Sequence, residues 1–359
     1  MIVSSTALRG VVTCLLTGSF LVGYLGASGF AQPQACTVQL TVVLSDLASW
    51  SWRKEGPDLT VATLKHGVVI PGAAGVPDLT AGAFSAHDRR GPIRVRSIRS
   101  DHGPRRIIFV VETGKRMPPP ARKIQAAVIS GILSEARPGD SFALITAGGP
   151  PTELPFGSSR EAILATAAQL VDPPQGKAKG LRPLDAVLEA TRWLQPPQAG
   201  DAIFALVFSL EGRHRASFSE VRDALAAGGI RFFGVELGHV TQPNPESLDS
   251  ASLMGGYLNI SHAPVGNVDH LIQLCRDSGG IFAWENTAGG RRYDLTQGRL
   301  EGLVAAAKCM YRAATAYYVL ELDSAGRDLV VGFAPGIEEK YPGALEPYYS
   351  HSLPPCSSR

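Results

Sequence analysis

From residue 106 to residue 284 the chain alternates short apolar runs with segments whose apolar positions recur at helical spacing. Residues 107–111 form a continuous apolar run, which suits a parallel strand covered on both faces. Residues 121–136 carry a helical pattern stopped by Pro138-Gly139, and 142–146 read as a second strand. The same reading predicts helices over 159–170 and 183–194, a strand over 203–208, and a helix over 218–227 that ends at Gly228-Gly229. A strand over 230–235, a helix over 268–277 ahead of Gly279-Gly280, and a strand over 281–284 complete the series. Strands and helices in alternation, joined by right-handed crossovers, give an α/β fold: a mostly parallel sheet with helices on both faces.

The flanks read differently. Residues 37–103 contain short strands over 38–44, 60–64 and 93–98, punctuated by Gly, Pro and Asp, and form a β-rich leader. After the alternation come a helix over 300–311, a strand over 317–322 and a Pro-rich coil. The expected organisation is therefore a leader module over 37–104, the α/β domain over 105–290, and a C-terminal helix, strand and tail over 291–359. Residues 239–266 form the longest irregular stretch, and loops of that length are usually functional or mobile.

Charge narrows the partners. A formal net charge of +2 implies neither a nucleic-acid arm nor an acidic tail. The basic cluster from Arg89 to Arg106 is interleaved with Ile93, Val95 and Ile98, as in a strand with one charged solvent face. At the N-terminus Arg9 precedes an apolar run over 11–25 and a small-residue site, Gly29-Phe30-Ala31, so residues 1–31 read as a secretory signal or, uncut, a membrane anchor. Either way the expected location is extracytoplasmic, secreted or periplasmic, with membrane contact only through an uncut anchor. Beyond the signal stand Cys36, Cys275, Cys309 and Cys356, an even set without CxxC spacing, which favours two disulfides over metal ligation and leaves three pairings open.

Ligands in an open parallel sheet bind beyond the carboxyl ends of the strands, and there the sequence places Glu112, Glu211 and Glu236. Lys115, Arg116, Arg213 and Arg215 are near enough in sequence to pair with them. The chain lacks GxGxxG after the first strand of the alternation, GxxxxGK[ST], GxSxG and HExxH, so no cofactor and no catalytic residue is expected from those chemistries. His262 and His270 lack a third ligand for zinc, Asn259-Ile260-Ser261 fits a glycan sequon, and Trp50 and Trp52 read as anchors for the leader.

The run Ile107-Ile108-Phe109-Val110-Val111-Glu112-Thr113-Gly114-Lys115-Arg116-Met117 resembles the first strand and loop of a von Willebrand factor A domain, an apolar strand running into Asp-x-Ser-x-Ser. Further similarities follow in order: Arg137-Pro138-Gly139-Asp140, residues 180–186 ending in Leu184-Asp185-Ala186, residues 205–212 and 230–238, and residues 274–282 with Ser278-Gly279-Gly280. Val76-Pro77-Asp78-Leu79-Thr80 with Phe84, and Tyr317-Tyr318-Val319-Leu320, resemble the leader and terminal strand of bacterial members. The resemblance implies a Rossmann-like sheet, a small β-rich module built from leader and C-terminal strand, and a divalent metal site. Carried over position by position, that site falls on Glu112, Gly114, Arg116, Leu181 and Glu211, so its three hydroxyl ligands are missing. Mg²⁺ needs oxygen donors in near-octahedral array, and metal binding is expected to fail. Arg116, with Lys115, is expected to take the place of the cation and neutralise Glu112 and Glu211, with Glu236 as a further ion-pair partner. The implied function is an exported, non-enzymatic domain that binds or scaffolds an unidentified protein without metal. The alternatives are an extracytoplasmic hydrolase using Glu112 and Glu211 as acid and base, or a membrane-anchored structural protein of the envelope.

Overall fold

The computed structural model describes residues 38–46, 50–54, 60–64, 80–115, 117–172, 180–208, 215–237, 268–284, 297–315, 317–323, 329–336 and 345–349. The expected signal over 1–31, the loop over 239–266, Arg116, Glu211, Cys36 and Cys356 lie outside the described residues. The leader lays down strands β1 (Val38–Asp46), β2 (Trp50–Lys54), β3 (Thr60–Leu64), β4 (Phe84–Asp88), β5 (Gly91–Ile93) and β6 (Val95–Asp101). β2 and β3 form an antiparallel pair with Trp50 opposite Leu64.

The central sheet follows from β7 (Arg106–Glu112), β8 (Ser141–Ala147), β9 (Glu153–Leu154), β10 (Ala202–Val207), β11 (Arg231–Glu236) and β12 (Phe282–Trp284), in the order β12-β11-β10-β7-β8-β9. All neighbours are parallel except β9, which runs antiparallel to β8. Ile107, Phe109 and Val111 of β7 enter one core with α1 (Pro119–Ser134), α2 (Arg160–Gln169) and α6 (Gln297–Thr315). Ile108 and Val110 enter the other with α3 (Pro183–Trp193), α4 (Phe218–Gly228) and α5 (Val268–Ser278). A strand buried on both sides has no polar face to keep, which is why β7 reads as an unbroken apolar run. The helix ends are set locally: Ser217 and Glu220 close a capping box on α4, and Gly229 ends that helix in the left-handed conformation. The fold class is α/β, a mostly parallel sheet between two helical layers.

β13 (Tyr317–Leu322) links the α1-side core to a third one. Tyr317 and Val319 pack with the α1 layer, whereas Tyr318, Leu320 and Leu322 pack with Ala83, Phe84 and Ala86 and with Leu329 and Val331 beside and within β14 (Val330–Phe333). β13 pairs antiparallel with both β6 and β1, and β15 (Leu345–Tyr349) pairs with β1, so leader and C-terminal segments share one sheet in the order β15-β1-β13-β6. The expected Pro-rich coil thus contains two strands, and the single strand expected over 93–98 is split at Arg94 into β5 and β6. In β4 only Phe84, Ala86 and Asp88 are buried, between exposed Ser85 and His87, so the apolar signal of that strand is weak.

The basic cluster faces carboxylates. Arg90 pairs with Asp88 at 2.8 Å, Arg96 with Asp323, Arg99 with Asp101 at 3.1 Å, and Arg106 with Asp201 at 2.6 Å. Arg105 is buried, pairs with Asp101 at 2.7 Å and stacks over the Tyr317 ring. Burial pushes the Asp101 pKa up, but hydrogen bonds from Arg105, the Gly103 N–H and Arg99 outweigh it and hold the carboxyl below its ordinary value. A lowered folded pKa contributes stability above the unfolded value of about 3.9, lost as pH falls through the folded one. The stability difference between wild type and Asp101→Asn is therefore expected to be full near neutrality and to shrink below about pH 4; urea titrations at several pH values measure it, and a difference that stays constant would contradict this assignment. Among the described residues no helix is long and apolar enough to cross a membrane.

Candidate functional site

In chain order the central sheet runs 3-2-1-4-5-6, and its order reverses between β7 and β10. The crevice at such a reversal, beyond the carboxyl ends of the strands, is where an open α/β sheet presents a site. Here the two strand ends on either side of it are bonded to each other. The Glu112 Oε2 accepts a hydrogen bond from the Phe208 backbone N–H at 2.7 Å, across from the end of β7 to the end of β10. Gln125 of α1, buried beneath, donates from Nε2 to the carbonyls of both Glu112 (3.0 Å) and Leu206 (2.8 Å). The two strand ends are thus tied once by a carboxylate and once by an amide.

The neighbouring loops are in direct contact. Thr113 donates from its backbone N–H and its hydroxyl to the Ala147 carbonyl, and the Gly148 N–H donates to the Leu181 carbonyl at 2.6 Å. A Cβ on Gly149 would stand 2.4 Å from the Thr113 Oγ1, and one on Gly180 would stand 2.2 Å from the Gly149 carbonyl oxygen. Only glycine permits approach this close, so the loop after β8 packs its backbone against Thr113 of the loop after β7 and against Gly180 before α3. Asp185 fixes the next loop: its Oδ1 accepts from the Arg215 N–H at 2.9 Å and the Ala216 N–H at 2.7 Å.

Glu236 ends β11 opposite Val207, and Val111 stands opposite Leu206, so Glu112 and Glu236 occupy one row across the sheet on either side of β10. Both face the α3–α5 layer by strand parity; Glu236 is buried and Glu112 half-buried. At the usual strand spacing their backbones are about 10 Å apart. Lys115 is exposed and pairs with no carboxylate among the described residues, so the ion-pair role expected for it is not seen there. The expected bridge from Arg116 to Glu112 and Glu211 involves two residues outside the described set.

The described donors do not fit a divalent ion. Gly114 and Leu181 offer no side-chain oxygen, Leu181 packs against the α3 core, and one Glu112 oxygen is committed to the Phe208 N–H. Among the described residues no group of three His, Cys, Asp or Glu side chains could hold a metal ion. His270 stacks on Phe218 with ring centroids 4.6 Å apart, and His262 lies outside the described residues. Cys275, one of the disulfide candidates, is buried in α5 with its sulfur 3.2 Å from where a Gly234 Cβ would stand, and burial pushes its pKa up. The side chain of Cys309 lies outside the described residues.

Three contributors escaped sequence reasoning: Gln125, Asp185 as a loop anchor, and Arg122. Arg122 is buried in the first turn of α1 and donates to three carbonyls, from Nε to Met117 (3.2 Å), from Nη2 to Gly114 (3.1 Å) and from Nη1 to Asp172 (3.0 Å). Burial lowers its pKa. Replacing Glu112 by Ala is expected to strand the Phe208 N–H and cost about 1–2 kcal/mol, whereas Glu112→Gln keeps an acceptor and most of the stability. Urea denaturation distinguishes these, and an Ala variant as stable as wild type would show that the Glu112 bond is dispensable.

No family model and no curated protein matches the sequence. Solved structures do resemble the fold. One is an aerotolerance-related membrane protein from Bacteroides fragilis, 14% identical over 59% of this chain and 98% of that one, with a TM-score of 0.41. Another is BatB from Bacteroides thetaiotaomicron, 16% identical over 58% and 98% respectively, with a TM-score of 0.37. A third is proximal thread matrix protein 1 from the mussel byssus with a zinc-occupied MIDAS motif, 15% identical over 64% of this chain and 50% of that one, with a TM-score of 0.38. The likeness is one of layout, a sheet of this kind between helices.

Proposed function

We propose that this chain is an exported, non-enzymatic domain that binds or scaffolds another protein through the loops at the carboxyl end of its sheet, without a divalent ion. The observation that carries the proposal is the Glu112–Phe208 hydrogen bond at the reversal of strand order, where the carboxylate serves the protein's own backbone. Gly114 and Leu181 beside it supply no side-chain oxygen, so the polar groups of the crevice are turned inward and recognition falls to the surrounding loops. The apolar run over 11–25 behind Arg9 supports export. No observation among the described residues favours a hydrolytic carboxylate pair.

The test is capture of partners from an envelope extract on the immobilised mature chain, with a chelator or with Mg²⁺. The same proteins are expected in both conditions and at the same salt dependence. Capture that appears only with the divalent ion would overturn the reading, as would turnover of a glycoside substrate abolished by Glu112→Gln.

A further inference from the structure

Arg122 sits where an arginine is least expected. A cation in the first turn of a helix opposes the positive end of the helix dipole, and burying a guanidinium is costly unless its donors are satisfied. Pro119 and Pro120 open this helix, and Arg122 is 3% exposed. Among the described residues it pairs with no carboxylate; its three acceptors there are backbone carbonyls. Two of them, Gly114 and Met117, belong to the loop that leaves β7, and the third, Asp172, follows α2. The Gly114 carbonyl also accepts the Met117 N–H at 3.0 Å, so two donors converge on one oxygen of that loop. Carbonyl oxygens turned toward a shared positive centre are the arrangement a bound cation would impose, and here the centre is covalently part of the chain. The planar fork of a guanidinium can reach three separated acceptors at once, which the compact ammonium of lysine cannot.

We propose that Arg122 is a positioning residue, a built-in cation that holds the first loop in its binding shape in place of a divalent ion. This rests on the metal-independent reading above. It predicts that the loop stays ordered in chelator because its organising charge cannot dissociate, and that the rim's shape depends on Arg122 more than the sheet does.

Hydrogen exchange read by mass spectrometry on the full chain tests this with wild type, Arg122→Ala and Arg122→Lys. In the Ala variant residues 113–117 are expected to exchange at least about tenfold faster, while peptides from β8 and β10 keep their protection. The Lys variant is expected to fall between the two, and free guanidinium at low-millimolar concentration to restore protection in the Ala variant where Mg²⁺ does not. Unchanged exchange over 113–117 in the Ala variant, or an equal loss in β8 and β10, would overturn the proposal, as would restoration by Mg²⁺. Saturable Mg²⁺ binding by the wild type would overturn metal independence alone, since the loss of loop protection in the Ala variant would still identify the clamp.

Discussion

Replacing Asp140 by Ala is expected to lower the free energy of unfolding by about 3–5 kcal/mol, because it removes the one carboxylate on which a buried network converges. The side chain is fully buried; its Oδ1 accepts from the Arg105 N–H at 2.8 Å and from the Arg137 guanidinium at 3.1 Å, and its Oδ2 accepts from the Tyr311 hydroxyl. That hydroxyl in turn accepts from the Arg137 N–H at 2.9 Å, while the Arg137 guanidinium reaches the carbonyls of Gly103 and Thr315. The network joins the start of β7, the turn before β8 and the end of α6, so the loss falls where the β module and the parallel sheet meet. An Ala side chain leaves a guanidinium, a hydroxyl and a backbone N–H short of an acceptor together. Asp140→Asn keeps one oxygen and is expected to lose less. Urea denaturation of both variants measures the difference, and an Ala variant within about 1 kcal/mol of wild type would mean the network is not coupled in this way.

Gly280→Ala is expected to cost about 3 kcal/mol, through backbone rather than charge. A Cβ there would stand 1.8 Å from the Phe232 carbonyl oxygen and 2.4 Å from its carbon, so β11 and the turn before β12 would have to separate. The neighbouring anchors cannot give easily. Ser278 accepts the Phe232 N–H at 2.9 Å through its hydroxyl, and Arg231, stacked over Phe233, donates to the Gly279 carbonyl at 2.9 Å. Thermal unfolding of this variant should begin at lower temperature than in Gly302→Ala, where a Cβ meets nothing within 4 Å. Equal behaviour of the two would show that the contact relaxes freely.

These two positions also mark what a sequence can and cannot convey. The Arg137-Pro138-Gly139-Asp140 and Ser278-Gly279-Gly280 segments were recognisable as motifs, yet their chemistry lies in partners far along the chain, such as Tyr311 for Asp140. β7 and β13 were legible because both of their faces are largely buried, which writes apolar runs over 107–111 and 317–320. β4 and β14 were not, because short strands with small or exposed side chains leave little periodicity. At the site, Glu112 and Glu236 could be placed from strand ends alone. The roles of Gln125 and Arg122 could not, because an amide or guanidinium that serves backbone carbonyls leaves no partner in the sequence to be read. The salt bridge expected through Arg116 and Glu211 lies outside the described residues, while the cation described beneath that loop is Arg122.

The most direct test of the account is calorimetric titration of the chain with Mg²⁺, Mn²⁺ and Ca²⁺. A Glu112 oxygen committed to the Phe208 N–H and a loop held by Arg122 predict no saturable heat and the same unfolding temperature with ion as with chelator. Saturable binding that disappears in Glu112→Ala would contradict the account, because it would return the carboxylate to a metal.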